Sequence, residues 1–184
     1  MFGEMRAALQ IPKTIDILDH IASLPPTSRP AATSAIEAIE RAAMAKQAPQ
    51  PGLMTLMTYL DSKSVRKAIC TRNFDMPVEH LLTKFLNGTL FDPIVTREFT
   101  PPKPHPAGIL HIAKSWGQEG GEGLIMVGDS IDDMTAGRAA GAATVLLVNE
   151  VNEHLAGHEF TDLAITKLDD LVEILENGFE GRLI

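Results

Sequence analysis

Met126-Val127-Gly128-Asp129-Ser130-Ile131-Asp132-Asp133 carries an apolar stretch straight into a glycine and three carboxylates. The residues leading into it, Gly123-Leu124-Ile125-Met126-Val127, show no alternation of apolar and polar side chains. That pattern suits a strand buried on both faces of a parallel sheet. From Asp132 to Gly141 the chain reads as a helix, with Ala136, Gly137, Ala139 and Ala140 small enough to let it pack close to the sheet. Strand, acidic turn and helix in this order put the carboxylates in the crevice where open α/β sheets bind ligands. Hard oxygen donors of this kind suit magnesium, which keeps several waters and takes one or two protein carboxylates together with a substrate phosphate. The plainer alternative is a solvated helix start, with Asp132 and Asp133 as first-turn acids favoured by the helix dipole.

Composition sets the outer bounds. At 184 residues, 45% hydrophobic and 22% charged, the chain has room for one core domain and a small accessory element. A net charge of -8 and a pI near 5.2, with no basic block, argue against a nucleic-acid or anionic-membrane surface. A substrate phosphate would therefore be met by local groups. The single cysteine, Cys70, excludes an internal disulfide and reads as a buried strand thiol in preference to a nucleophile. With no membrane-length apolar run and no signal-peptide pattern, a cytoplasmic protein is expected.

Two zones follow from the periodicity. Residues 1–50 are helical throughout: Phe2, Met5 and Leu9 share a face, then Ile15, Leu18 and Ile21, then Ile36, Ile39 and Ala43, with Pro12, Pro25, Pro26 and Pro30 as punctuation. Pro49-Gln50-Pro51-Gly52 reads as a hinge. Residues 51–184 alternate helix and short apolar strand. Helices are expected over 53–60, 77–86, 107–116, 132–141 and 168–175. Strands are expected over 66–70, 91–95, 124–127, 143–148 and 163–165. Strands alternating with helices predict a Rossmann-like, doubly wound parallel sheet.

Three loops at strand ends carry suitable chemistry. After Ile69-Cys70 come Thr71, Arg72 and Asn73, where a hydroxyl and nearby backbone N–H groups could cradle a phosphate oxygen. Pro101-Pro102-Lys103-Pro104-His105-Pro106 holds a lysine between prolines, so its ammonium can be aimed at a phosphate or at a charged nucleophile. The third loop is the Asp129 turn. Taken singly, Thr71 can be a turn cap, Lys103 a surface lysine and His105 a loop residue. Taken jointly, in this order and on this scaffold, they point to phosphoryl chemistry.

Thr71 after a strand, Lys103 in its Lys-Pro-x-Pro context and Val-Gly-Asp-Ser-x-x-Asp at 127–133 resemble the second, third and fourth motifs of the haloacid dehalogenase-like hydrolase superfamily. The likeness is to phosphoglycolate-phosphatase-like members carrying a helical cap, with residues 1–47 in the cap's place. The resemblance implies that Thr71, with Arg72 and Asn73 beside it, and Lys103 bind the phosphoryl group. It implies that Asp129 ligates magnesium, and that Asp133 holds the metal's water or orients Lys103. Asp132 receives no role from it. What is implied is a magnesium-dependent phosphatase of a small phosphorylated metabolite.

One family motif is missing. Members begin with a strand ending in Asp-x-Asp, whose first aspartate forms the aspartyl-phosphate, and this chain has no such motif. Without that nucleophile the covalent route is closed, and magnesium loses its bridging ligand and binds weakly. The resemblance also places the missing strand between those ending at Cys70 and Val127, leaving two unpaired inner edges. The expectation is a truncated chain, inactive as it stands, whose longer form supplies the nucleophile. A non-catalytic binding or regulatory relative is the alternative, and a dehalogenase fits less well because threonine, lysine and metal acids suit a phosphoryl group. Substrate identity and oligomeric state stay open, with Arg6, Lys13, His20 and Arg41 as available polar groups on the cap.

Overall fold

The computed structural model describes residues 2–46 and 48–179, except for the Phe2 side chain. The chain divides into two compact units, Met1–Ala48 and Pro49–Ile184.

The first unit holds α1 (Phe2–Leu9), α2 (Ile17–Ser23) and α3 (Arg29–Ala45). Asp16 caps α2, its carboxylate accepting hydrogen bonds from Leu18 N at 2.8 Å and Asp19 N at 3.2 Å. This satisfies two of the N–H groups that a helix start leaves without partners. Because the cap falls at Asp16, the helical phase differs from that expected: Ile17 is buried and Ile15 lies outside the helix, 39% exposed. Pro30 sits in the first turn of α3, where its missing N–H costs nothing. The core is Met5, Ile17 and Ile36, with Leu9, Ile11, Ile21 and Ile39 packed around them. The Phe2 side chain, expected on the same face as Met5, lies outside the described residues.

The second unit runs α4 (Leu53–Ser62), β1 (Ile69–Cys70), α5 (Asp75–Phe85), β2 (Ile94–Val95), α6 (Ala107–Ser115), β3 (Ile125–Gly128), α7 (Ile131–Ala140), β4 (Ala143–Leu147), β5 (Leu163–Ile165) and α8 (Asp170–Asn177). Every strand pairing is parallel, as the alternating pattern predicts. Within β3, Met126 packs with α6 and α7 while Val127 packs with the cluster of α4 and α8. Successive strand residues point to opposite faces, so helices cover both sides of the sheet and the fold is doubly wound. No helix among the described residues is long and apolar enough to cross a membrane.

Several expectations need correction. The strands expected over 66–70 and 91–95 shrink to two residues each, although Asp92 N still reaches Lys67 O at 2.8 Å. The last helix begins at Asp170, two residues late, because the Asp170 carboxylate turns back to accept from Thr166 N and Lys167 N. In keeping with the unpaired inner edges that the resemblance implies, the strands among the described residues form two sheets, β1-β2 and β3-β4-β5, with β1 and β3 not paired to each other. The strand expected to be buried on both faces is only partly so: Ile125 is 37% exposed, since β3 is paired on one edge alone.

Close packing of α7 on the sheet does follow the small residues. Ala136, Gly137 and Ala140 are buried and only Ala139 faces outward. A Cβ on Gly137 would lie 2.8 Å from Thr144 Cγ2 and 2.9 Å from Met126 Cβ, so nothing larger than hydrogen fits. Full burial of Met134 against Leu146 adds about 1.5–3 kcal/mol per side chain by area.

Candidate active site

The turn from β3 into α7 is organised by one carboxylate. Ser130 is the N-cap of α7, its Oγ accepting from Asp133 N at 3.2 Å. Asp133 Oδ2 in return accepts from Asp129 N at 3.1 Å, Ser130 N at 3.1 Å and Ser130 Oγ at 2.8 Å. This is a capping box, with the shorter aspartate where glutamate or glutamine is usual. The aspartate can reach because residue 128 is glycine: a Cβ there would stand 2.4 Å from Asp133 Cβ. The glycine of the Gly-Asp motif is thus the floor on which Asp133 lies.

The other oxygen, Asp133 Oδ1, pairs with Lys103 Nζ, and the two side chains are 9% and 10% exposed. Lys103 Nζ also donates to Cys70 O at 2.6 Å. The lysine therefore stands between the carboxyl end of β1 and the start of α7, spanning the gap between the two sheets. Thr71, the next residue after Cys70, donates its N–H to Val95 O at 2.8 Å. Its Oγ1 accepts from Asn73 N at 3.1 Å, which leaves the hydroxyl proton available to a ligand.

Sequence reasoning selected Thr71, Lys103, Asp129 and Asp133, and the turn, the lysine bridge and the strand end bring them to one side of the fold. Arg72 and Asn73, expected to bind phosphate beside Thr71, make contacts within the protein. The Arg72 guanidinium pairs with Asp132, the acid to which no role was assigned, and so ties the β1 loop to α7. Asn73 N is committed to Thr71 Oγ1 and Asn73 O accepts from Arg97 N at 3.0 Å. His105 is a loop residue whose Nδ1 accepts from Ala107 N at 3.1 Å, helping to start α6. Burial raises the Cys70 thiol above its usual range, opposed by the charge of Lys103, so it makes a poor nucleophile.

Asp129 behaves differently from its neighbour. Among the described residues its carboxylate pairs with no cation. Partial loss of water around the group, then the charge of Asp133, raise its pKa, while its own N–H and Lys103 lower it. It borders a shallow depression of about 550 Å³ lined also by Ser130, Asn149, Glu150, Val151 and Asn152. The asparagines were missed by sequence reasoning, although Asn149-x-x-Asn152 follows a strand as the other three loops do.

The donor set can be weighed against magnesium. Asp129 offers a hard oxygen donor open to solvent, whereas both oxygens of Asp133 are already engaged, Oδ1 by Lys103 Nζ and Oδ2 by Asp129 N, Ser130 N and Ser130 Oγ. No group of three or more His, Cys, Asp and Glu among the described residues could hold a metal. One free carboxylate fits a loosely held magnesium that keeps most of its waters, and no tighter site.

A family model of haloacid dehalogenase-like hydrolases matches residues 7–141. An uncharacterized hydrolase of Saccharomyces cerevisiae is 45% identical over 96% of this chain and 84% of its own length. Phosphoglycolate phosphatase 1 of Pseudomonas aeruginosa is 30% identical over 71% of this chain and 48% of its own. Among solved structures, a predicted phosphoglycolate phosphatase from Haemophilus somnus superposes with a TM-score of 0.72 at 20% identity, covering 83% of this chain and 68% of that one.

Proposed function

The chain belongs to the haloacid dehalogenase-like hydrolase family, and from that premise we propose a magnesium-dependent phosphatase acting on a small phosphorylated metabolite. The observation that carries this reading is Lys103, held by Cys70 O and Asp133 at the strand end that Thr71 follows, the Thr71 hydroxyl accepting from Asn73 N. A cation fixed in a nearly dry setting at a strand end that also carries a hydroxyl residue suits the charge that spreads over phosphoryl oxygens during transfer. Similarity to a phosphoglycolate phosphatase supports a small phosphorylated substrate. The acidic net charge supports neither nucleic acid nor an anionic membrane as partner, and fits a cytoplasmic setting.

Each residue has a distinct task. Thr71 donates its hydroxyl proton to a phosphoryl oxygen, and Lys103 neutralises that group. Asp133 holds Lys103 in place, and caps α7. Asp129 would hold magnesium, which when bound supplies further charge neutralisation at the phosphate.

Formation of an aspartyl-phosphate needs a carboxylate that attacks phosphorus. Among the described residues, Asp133 is spent on Lys103 and Asp132 on Arg72, while Asp129 is the magnesium candidate. The attacking carboxylate therefore comes from outside this constellation, and the chain by itself is expected to turn over little substrate. The same observation favours a second reading, a binding or regulatory protein that holds phosphate without cleaving it. Hydrolysis of an aryl phosphate with magnesium, abolished by Thr71→Ala and by Asp129→Ala, supports the phosphatase. Phosphate binding that depends on Thr71 and Lys103, without turnover in any longer form of the protein, supports the second reading.

A further inference from the structure

Asn152 is 5% exposed and lies outside every motif used so far. Its side-chain Nδ2 donates to Asp129 O at 2.8 Å and to Leu147 O at 2.9 Å. Its Oδ1 accepts from Asn149 N at 2.7 Å. Asn149 Oδ1 closes the turn in return, accepting from Val151 N at 2.8 Å and Asn152 N at 3.1 Å. The amide orientation is dictated by these partners: turned over, its oxygen would face two carbonyls and its NH₂ a third group that can only donate.

The geometry links two strand ends. β3 and β4 pair in register as far as Gly128 opposite Leu146. Asp129 and Leu147 are the next residues on each strand, and the Asn152 amide bridges their two carbonyls where the ladder has stopped. Asp129 is thereby held at both sides of its Cα, its N–H by Asp133 Oδ2 and its C=O by Asn152 Nδ2. Fixing the two peptide planes fixes the direction of the Cα–Cβ bond between them, and so the region its carboxylate can sweep.

We propose that Asn152 is a positioning residue for the Asp129 carboxylate, acting through the Asp129 backbone to present it to a divalent cation. This rests on the reading of Asp129 as the magnesium ligand. Asparagine suits the role chemically. Serine reaches with one donor in place of two, alanine leaves both carbonyls without their partner, and aspartate would set negative charge against them.

The test is manganese affinity, with Mn2+ as a paramagnetic probe followed by electron paramagnetic resonance, alongside circular dichroism and thermal melting. Asn152→Ala is expected to weaken Mn2+ binding by about tenfold or more in protein that is still folded, the scale seen when supports of a metal ligand are removed. Asn152→Ser, which keeps one donor, is expected to fall between it and the parent and serves if the alanine variant does not fold. Leu171→Ala, in the core away from Asp129, is expected to lower the melting temperature without moving the affinity. If Asp129→Asn weakens Mn2+ binding and folded Asn152→Ala or Asn152→Ser matches the parent within twofold, the positioning role is overturned. If Asp129→Asn binds Mn2+ as the parent does, the assignment of Asp129 as ligand fails first and the inference falls with it.

Discussion

Lys103 and Asp133 meet as an ion pair in which both side chains are about nine-tenths buried, although they lie 30 residues apart, Lys103 in the segment after β2 and Asp133 in the first turn of α7 after β3. Lys103 also takes the last carbonyl of β1, and Asp133 takes the N–H groups that open α7. The pair therefore does two things at once: it stitches the β1-β2 sheet to the β3-β4-β5 sheet, and it keeps a cation at the end of β1.

Removing the cation alone should be costly. Lys103→Met is expected to destabilise the protein by about 3 kcal/mol, because Asp133 is left as an uncompensated buried charge. The double variant Lys103→Met with Asp133→Asn should recover part of that loss, since the asparagine oxygen can still accept from the α7 cap. Urea unfolding at neutral pH measures both; strictly additive losses would contradict the coupling.

Gly128→Ala should act on the same pair from beneath. The new methyl would need to occupy space 2.4 Å from Asp133 Cβ, and relief requires Asp133 to move off Lys103 or β3 to shift. A loss of about 1–3 kcal/mol is expected, together with weaker phosphate binding, which isothermal titration with inorganic phosphate would reveal. Unchanged affinity would show that Lys103 is aimed without help from Asp133.

Gly137→Ala tests the packing of α7 rather than the site. Alanine is the better helix former by about 1 kcal/mol, yet its Cβ would press on Thr144 and Met126. The steric term is expected to win, lowering stability by about 1–2 kcal/mol net. Thermal melting decides the sign, and a stabilised variant would mean that α7 can step back from the sheet freely.

Asp162 should govern part of the acid response. Burial pushes its carboxyl up, but hydrogen bonds from Thr144 N and Arg138, with the Arg138 charge, outweigh burial and hold it below the usual range. A folded pKa below the unfolded one means a stabilising contribution present in full above about pH 5 and lost as pH falls through the unfolded value near 3.9 and on through the folded value. Asp162→Asn should therefore be less stable than the parent at pH 7, and the gap between their melting temperatures should narrow on acidification. A gap that stays constant from pH 7 to 3 would remove Asp162 from the account.

Much of the site could be read from local chemistry. Gly128-Asp129-Ser130 through Asp133 announces a strand, a tight turn and a capped helix, because capping and glycine effects act within a few residues. Thr71 and Lys103 could be selected because each follows a strand, and strand ends are where a parallel sheet opens. The Arg72 pairing was not legible, since it depends on Asp132, 60 residues away. Asn152 was invisible for a related reason: an asparagine in a turn is ordinary in sequence, and only its carbonyl partners on two neighbouring strands give it weight.

By itself the sequence determined the element order, the parallel α/β architecture, the helical first unit and the residue types of the site, because periodicity, caps and turn glycines are local properties. Only the tertiary structure decided that Ile125 meets solvent, that Asp132 serves Arg72 and that Asn152 bridges the carbonyls of Asp129 and Leu147. Those outcomes depend on which strand edges and which distant charges come within hydrogen-bond reach, and such distances exist only once the chain has closed on itself.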